Sequence, residues 1–380
     1  MSAAGINPLR IAVVTGSRAE YGLLKPVMRA IQLRSELELQ VVAAGSHLVL
    51  PSLTFRDVRA DFEVADSVPM QMAGKTGRIE DAESVARGIA RFVRAFDRLK
   101  PDWVVVLGDR IEAFAAASAA SIGGFALAHI HGGDRAEGIT DEAMRHAITK
   151  LAHLHFAATA QSRDRVVKMG EDPARVHCVG SPAIDGLAAI PSLDAETFRK
   201  LGDPTAAFLM HPAHGEDELD FKSTMVALRA LKDDAVLAFE PNLDPGRAGV
   251  VAAIAESGVR REMHLSRPAF IGVLKRLAET AGPRRGILVG NSSAGLIEAA
   301  AIGLPVVDIG PRQSGRERPA HVVHLEESEV SSSAIAVARE RQPSAVMHPY
   351  GDGHAGERIA DLLSRTNPRA PGFTRKRCAY

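Results

Sequence analysis

The chain has 380 residues, with 46 basic and 46 acidic side chains; 46% of it is apolar and only 4% aromatic. This length and apolar content suffice for two domains of ordinary size whose cores are built from aliphatic side chains. Balanced charge disfavours a nucleic-acid or anionic-membrane partner, and the presence of only two cysteines predicts a reducing, cytoplasmic setting.

Short β-branched runs alternate with alanine-rich helical stretches along the chain. Ten runs predict parallel strands, six in a first series and four in a second: 10–15, 39–44, 103–107, 125–130, 155–159 and 176–179, then 207–210, 235–239, 286–289 and 305–309. Residues 111–130 predict a buried helix, a turn and a strand, and not a membrane span. The alternation predicts the α/β class, with two Rossmann-like doubly wound parallel-sheet domains facing a cleft.

The predicted domains are an N-terminal domain at residues 1–180 and a C-terminal domain at residues 200–355. Residues 180–204 lie between them, hold three prolines and predict a hinge. Residues 356–380 predict a helix and tail that pack back on the N-terminal domain, and we expect the basic end of the tail, residues 375–380, to be solvated and disordered.

Polar residues follow nearly every predicted strand, where parallel sheets bind their ligands. The richest cluster is the turn at residues 129–134, followed by residues 137–146, which together hold four carboxylates, several histidines and Arg145. Paired glycines allow this turn to come close to a ligand. So many ionisable groups at one strand end indicate acid/base chemistry.

Two glycine-containing segments are candidates for binding phosphate. In residues 290–298, Ser292 and Ser293 can cap a helix whose free amides favour an anion, with Glu298 placed for ribose hydroxyls; a plain N-cap with a capping glutamate is the alternative. In the segment after the first strand, Arg18 can bind phosphate or simply pair with Glu20.

Two further side-chain groups each allow a catalytic and a structural interpretation. Asp109 follows four apolar residues, so it is either a desolvated base or a helix N-cap. His129 and His131 with Asp134 could bind a metal if both imidazoles share one strand face, but no third ligand follows at a recognised spacing, so we expect no metal. His153 and His155 are interpreted as structural.

The chain resembles the hydrolysing UDP-N-acetylglucosamine 2-epimerases of sialic-acid biosynthesis over about residues 10–325. The motifs that carry the resemblance, in order, are 15–24, 108–110, 131–153, 241–246, 290–293 and 310–316. The resemblance implies a glycosyltransferase-B-like fold with UDP held mainly by the C-terminal domain. It also implies removal of the C2 proton, loss of UDP to give a 2-acetamidoglucal, and addition of water to release the free manno sugar.

Residue by residue, the resemblance implies catalytic roles for Asp109 and Asp141, with Arg145 orienting the carboxylates and His211 acting near the diphosphate. The positions that match nucleotide- or sugar-binding residues are Arg18, Asn242, Ser292, Ser293, Glu298 and Arg312. We add Glu20 to this binding set because it lies in the same motif as Arg18.

One position departs from the family: some relatives carry a catalytic glutamate where His131 stands. Either His131, which titrates near neutral pH, or Asp134 could take that role, and the sequence does not choose between them. The motifs also do not separate UDP-N-acetylglucosamine from its 2,4-diacetamido-2,4,6-trideoxy analogue. A glycosyltransferase and a non-catalytic nucleotide-sugar-binding protein remain alternatives. We expect no cofactor, and a homodimer or homotetramer.

Overall fold

The computed structural model describes residues 7–50, 53–75, 77–135, 142–241, 246–263, 265–280, 282, 285–343 and 348–379. It divides into two compact units. The first contains Met1–Asp134, Thr140–Asp185 and Gly351–Tyr380, and the second contains Arg135–Ile139 and Gly186–Tyr350. The end of the chain therefore belongs to the first unit, and the chain passes into the second unit within the predicted hinge.

Both units alternate strands and helices. The strands are β1 (Leu9–Thr15), β2 (Leu37–Ala44), β3 (Val64–Val68), β4 (Trp103–Leu107), β5 (Ala126–Ile130), β6 (Leu154–Ala157), β7 (Val176–Cys178), β8 (Ala206–Leu209), β9 (Val236–Phe239), β10 (Arg260–Glu262), β11 (Ile287–Gly290), β12 (Val306–Ile309) and β13 (Val322–Leu325). The helices are α1 (Arg18–Gln32), α2 (Phe55–Asp61), α3 (Arg78–Leu99), α4 (Ile111–Ile122), α5 (Glu142–Leu151), α6 (Ala160–Lys168), α7 (Ala195–Lys200), α8 (Asp217–Ala230), α9 (Arg247–Ser257), α10 (Arg267–Ala278), α11 (Ala300–Ile302), α12 (Ser332–Glu340) and α13 (Ala355–Arg365).

The first unit is built on a parallel sheet of order β3-β2-β1-β4-β5-β6-β7. Aliphatic side chains alternate between its two faces, so Ile11 and Val13 pack in the core on one side and Ala12 and Val14 in the core on the other. Helices cover both faces, with α1 and α13 against the first core and α3 and α4 against the second. The arrangement is doubly wound, as predicted.

The second unit repeats this plan with a parallel sheet of order β10-β9-β8-β11-β12-β13. Its core includes Phe208, Val289, Val307 and Ile254, all buried. All ten predicted strands are present, with ends that differ by a residue or two. The predicted class, two Rossmann-like parallel-sheet units, is confirmed.

The sequence prediction missed three strands, β3, β10 and β13, and all three are edge strands. An edge strand is covered less than a central one and does not need an unbroken apolar run. In β10, for example, Arg260, Arg261 and Glu262 carry charged side chains that are at least partly exposed. Apolar periodicity therefore gave no signal for β10, whereas the short apolar run of β13, Val322–Leu325, was missed.

The prediction that the basic tail is disordered is wrong for residues 375–379. Lys376 donates to the carbonyl oxygens of Thr149 and Ala152, and the amide of Ala379 donates to the carbonyl oxygen of Gly170. None of the helices that the structure describes is long and apolar enough to cross a membrane.

Candidate active site

In the first unit, strand order reverses between β1 and β4. A reversal of this kind opens a crevice beyond the carboxyl ends of the two strands, which is where doubly wound sheets bind ligands. Residues 16–18 follow β1, and Gly108 and Asp109 follow β4. The topology thus places the predicted Arg18 and Asp109 beyond the carboxyl ends of two adjacent strands.

Asp109 forms an ion pair with Arg145, whose side chain is almost completely buried on α5. Helix α4 begins at Ile111 with Arg110 at its N-cap, so the alternative that Asp109 caps this helix is wrong. Asp109 remains partly exposed while its partner is buried. Its carboxylate is therefore held in one orientation and is still open to the crevice.

His129 supports the same turn from inside the sheet. Its Nε2 lies 2.8 Å from the carbonyl oxygen of Gly108, and its Nδ1 lies 3.1 Å from Oγ1 of Thr149. Burial lowers the pKa of His129 to about 3, so the ring is neutral near pH 7. Because a carbonyl only accepts, Nε2 carries the proton and Nδ1 accepts from Thr149.

His131 does not share a strand face with His129. Strand β5 ends at Ile130, and His131 has a φ of 65°, in the left-handed region. The premise of the metal alternative, two imidazoles on one face of a strand, is therefore wrong. In the part of the chain that the structure describes, no group of three or more His, Cys, Asp or Glu side chains could hold a metal ion.

His131 and Asp134 form one buried network with two serines. Nδ1 of His131 lies 2.8 Å from Oδ2 of Asp134, and Nε2 lies 3.0 Å from Oγ of Ser181. Oγ of Ser162 donates to Oδ1 of Asp134 at 2.8 Å. Both ring nitrogens and both carboxylate oxygens therefore have protein partners. The two residues between which the sequence could not choose act as one coupled pair.

Glu20 and Glu112 are two buried carboxylates next to Gly16. The amide of Gly16 donates to Oε2 of Glu20 at 3.0 Å, and a Cβ at Gly16 would lie 2.4 Å from that of Glu112. Glu112 is fully buried, and neither of its oxygens has a hydrogen-bond partner among the described residues. Burial, then the charge of Glu112, raises the pKa of Glu20 to about 8.

We expect Glu20 by itself to lower the free energy of unfolding as pH rises from about 5 to 8, which is measured as the difference in pH dependence between the unchanged protein and a variant that cannot ionise at this position. Across this interval the folded protein keeps a proton on Glu20 that the unfolded chain has already released, so rising pH favours the unfolded state. Glu20→Gln keeps an oxygen for the Gly16 amide but cannot ionise, so this part of the slope should disappear. Urea unfolding at several pH values measures it.

The exposed Glu196 supplies the control variant, Glu196→Gln, which should keep the slope of the unchanged protein. Parallel stability curves for the unchanged protein and Glu20→Gln would contradict the assignment of a raised pKa to Glu20.

In the second unit, strand order reverses between β8 and β11, and the loops that follow them are tied together. Oδ1 of Asn291 accepts the amide of His211 at 2.7 Å, and Nδ2 of Asn291 donates to the carbonyl oxygen of His211 at 2.8 Å. Burial, then the charge of Arg312, lowers the pKa of His211 well below its ordinary value. A neutral His211 therefore lies beside the predicted nucleotide loop.

The predicted nucleotide loop continues into a π-helical turn, Gly295–Ala299, which α11 extends. Oγ of Ser292 accepts the amide of Ala294 at 3.4 Å, and Nη1 of Arg312 lies 3.3 Å from the carbonyl oxygen of Asn291. Glu298 is mostly buried and forms an ion pair with Arg267 at 3.1 Å. The loop that carries Ser292 and Ser293 thus lies next to Arg312, while Glu298 has a protein partner of its own.

Asp141 and Asn242 lie outside the described residues, as does Glu137. Sequence reasoning missed the partners that hold the predicted residues in place, which are Thr149, Ser162, Ser181 and Arg267, and it missed the buried Glu112, whose charge acts on Glu20. Ser181 alone had a local signal, since it precedes Pro182 and caps a short 3₁₀ turn, as the Ser-Pro pair suggests. The others come close to the site only through the fold.

The chain is similar to known proteins along most of its length. It matches the family described as UDP-N-acetylglucosamine 2-epimerase over residues 29–364. The chain belongs to this family. It is 32% identical to the UDP-N,N'-diacetylbacillosamine 2-epimerase (hydrolyzing) of Legionella pneumophila, over 98% of this chain and 99% of that protein.

A second relative agrees with this placement in the epimerase family, and a solved structure shares the fold. The chain is 30% identical to a UDP-N-acetylglucosamine 2-epimerase of Neisseria meningitidis, over 83% of this chain and 84% of that protein. Its fold matches the crystal structure of UDP-GlcNAc 2-epimerase from Neisseria meningitidis bound to UDP-GlcNAc, with a TM-score of 0.78 and 18% identity over 94% of this chain and 100% of that one. The predicted family resemblance is confirmed.

Proposed function

We propose that this epimerase-family protein is a hydrolysing 2-epimerase, which converts a UDP-2-acetamido sugar into UDP and the free manno-configured sugar. The observation that carries the proposal is the Asp109 carboxylate, which lies beyond β4 at the reversal of strand order and is oriented by buried Arg145. The hydrolysing relative at 32% identity supports the hydrolytic outcome.

The reaction has two stages. A base takes the C2 proton, the C–H electron pair forms the C1–C2 double bond, and the C1–O bond to UDP breaks, which leaves a 2-acetamidoglucal. Water then adds its hydroxyl to C1 while an acid delivers a proton to the opposite face of C2. Both stages need a carboxyl group at C2 that exchanges protons and a cationic or amide-rich pocket for the diphosphate.

Asp109 is the proposed proton-transfer group among the described residues, with Asp141 as the second. Arg145 holds Asp109 in place, and the His131–Asp134 pair holds the turn at residues 131–134. Because Ser181 and Ser162 already bind that pair, it reaches the sugar only if one of these serine hydrogen bonds opens. We therefore assign it the supporting role.

The second unit is proposed to bind UDP. Ser292, Ser293 and Arg312 supply hydroxyl, amide and guanidinium donors that suit a diphosphate. His211 starts neutral, and the negative charge of a leaving UDP would favour its protonation, so it can stabilise that charge. Arg18 and Glu20 of the first unit and Asn242 complete the proposed contacts to substrate.

Proton NMR of the protein with UDP-N-acetylglucosamine in D2O tests the function. We expect UDP and free N-acetylmannosamine that carries deuterium at C2, because the proton added at C2 comes from solvent. A second tube with the 2,4-diacetamido-2,4,6-trideoxy analogue compares the two substrates, and a third with chelator tests the need for a metal.

Three outcomes would contradict the proposal. Glycosyl transfer to an added acceptor without free sugar would favour a glycosyltransferase. Equilibration of the UDP-sugar with its C2 epimer, without release of UDP, would indicate a non-hydrolysing enzyme. Binding of UDP without turnover of either sugar nucleotide would indicate a non-catalytic protein.

A further inference from the structure

Residues 367–379, here called the C-terminal strap, lie against the amino ends of the strands of the first sheet. The candidate site lies at the opposite, carboxyl ends of these strands. Arg369 forms two hydrogen bonds with Asp102, at 2.6 and 2.7 Å, just before β4 begins. The ring of Phe373 packs edge-on against Trp103, 5.4 Å between ring centres. Nε2 of His153, just before β6, lies 3.2 Å from the carbonyl oxygen of Thr374. The strap therefore runs along the amino ends of the strands.

Lys376 anchors the strap to the C-terminal end of α5. Its Nζ donates to the carbonyl oxygens of Thr149 at 2.9 Å and Ala152 at 2.6 Å, and lies 2.7 Å from Oε2 of Glu171. Three acceptors match the three donors of an ammonium group. The last carbonyls of a helix lack partners within the helix and carry negative partial charge, so a cation stabilises them.

Glu171 joins the strap to the same helix by a second route. Its buried carboxylate also contacts Nζ of Lys150 on α5 at 2.6 Å and Nε2 of His155 at 3.1 Å. Burial alone would raise the pKa of Glu171, but the hydrogen bonds from His155, Lys150 and Lys376 outweigh it and lower the pKa to about 2. Glu171 is thus a charged, buried hub whose cationic partners come from α5 and from the strap.

The other contacts of α5 reach the turn that carries Asp109. Arg145 on α5 pairs with Asp109 itself. Thr149 on α5 bonds Nδ1 of His129, whose Nε2 bonds the carbonyl oxygen of Gly108. Arg145, which pairs with Asp109, and Thr149, which bonds the His129 ring, thus belong to one helix whose C-terminal end is bound by Lys376.

We propose that Lys376 is a positioning residue for the Asp109 turn, acting through α5. Without its ammonium group, the carbonyl oxygen of Ala152 loses the Lys376 donor, that of Thr149 keeps only the amide of Ala152 at 3.3 Å, and the end of α5 loosens. Arg145 and Thr149 then hold the turn less firmly, and a displacement of about 1 Å in a catalytic group can cost about 10²-fold in rate. The catalytic part of this inference rests on the proposed function; the coupling of the strap to α5 does not.

The test compares Lys376→Met, which keeps most of the length of the side chain and removes its charge, with Lys376→Arg and with Arg377→Met. Arg377 is an exposed neighbour on the same strap, so its variant should behave as the unchanged protein. Release of UDP from the sugar nucleotide is measured well below the melting temperature of each variant. Hydrogen exchange of the amides at residues 142–152 is measured in the same proteins.

We expect Lys376→Met to lower kcat by about 10-fold or more, with KM nearly unchanged and faster amide exchange in α5. Lys376→Arg should recover part of kcat, since it restores a cation at the helix end. A loss of thermal stability with kcat unchanged in the folded fraction would overturn the proposal, because it would show that the strap only stabilises the unit.

Thr149→Val gives an independent variant that keeps Lys376 and removes the hydroxyl that bonds His129. It should lower kcat in the same manner, and the double variant with Lys376→Met should be less than additive because both act along one path. Fully additive effects of the two substitutions on kcat would contradict the proposal that Lys376 and Thr149 act on the Asp109 turn along one path. If the unchanged protein releases no UDP, the proposed function fails. Hydrogen exchange of the α5 amides in Lys376→Met still tests whether the strap is coupled to α5. An exchange rate equal to that of the unchanged protein overturns the inference.

Discussion

Asp109→Asn is expected to reduce kcat for UDP release by about 10²- to 10⁴-fold, the range of general acid–base catalysis. The amide has the shape of the carboxylate and keeps an oxygen for Arg145, but it cannot take or return a proton. Because substrate contacts are largely kept, KM should change little. Steady-state kinetics of UDP release measure both parameters.

Asp66→Asn provides the matched control. Asp66 is also an ion-paired aspartate of the first unit, at 2.5 Å from Arg98, but it belongs to edge strand β3. The control should keep full activity. Full activity in Asp109→Asn would remove the assigned role and leave Asp141 as the main acid–base candidate.

Gly133→Ala is expected to destabilise the first unit strongly and to disturb the His131–Asp134 pair. A Cβ at Gly133 would lie 2.2 Å from the carbonyl oxygen of Ser162 and 2.7 Å from Cγ2 of Val166. The residue also has a φ of 80°, which costs about 1–2 kcal/mol for alanine. Relieving the clash should add about 1–3 kcal/mol and move Asp134 away from Ser162. Urea unfolding and UDP release measure the two effects.

Gly124→Ala separates the clash from the backbone cost. Gly124 has nearly the same φ, 78°, but nothing lies within 4 Å of the position of its Cβ. This variant should lose only about 1–2 kcal/mol of unfolding free energy and should keep its activity. Equal losses of unfolding free energy in the two variants would show that relieving the clash with Ser162 costs little free energy.

The central strands of both sheets could be predicted from sequence because burial on both faces demands continuous apolar runs, as in residues 103–107. Of the four edge strands, only β7 was predicted. Edge strands can be partly exposed, so they do not need a continuous apolar run. All three residues of β10 have charged side chains, and apolar periodicity predicts a loop there. The order of the strands also follows from long-range pairing, which local sequence does not encode.

The candidate site, like the sheets, could be predicted from the sequence only in part. The sequence predicted residues that lie just after strands, because the carboxyl end of a strand marks a binding edge whatever its neighbours are. It did not predict that His131 leaves the strand in a left-handed conformation. Nor did it predict that Ser181, 50 residues away, would bond the same ring. Contacts between distant segments depend on tertiary packing, so the supporting residues became visible only in the structure.

The first unit is assembled from segments at both ends of the sequence, and this sets the order in which its contacts form during synthesis. Thr149 and Ala152 are translated 227 and 224 residues before Lys376. While the intervening second unit is being made, the end of α5 and Glu171 have no strap cation to bind. We therefore expect a nascent chain stalled after residue 350 to expose α5 to protease, and the strap to act as the closing step of folding.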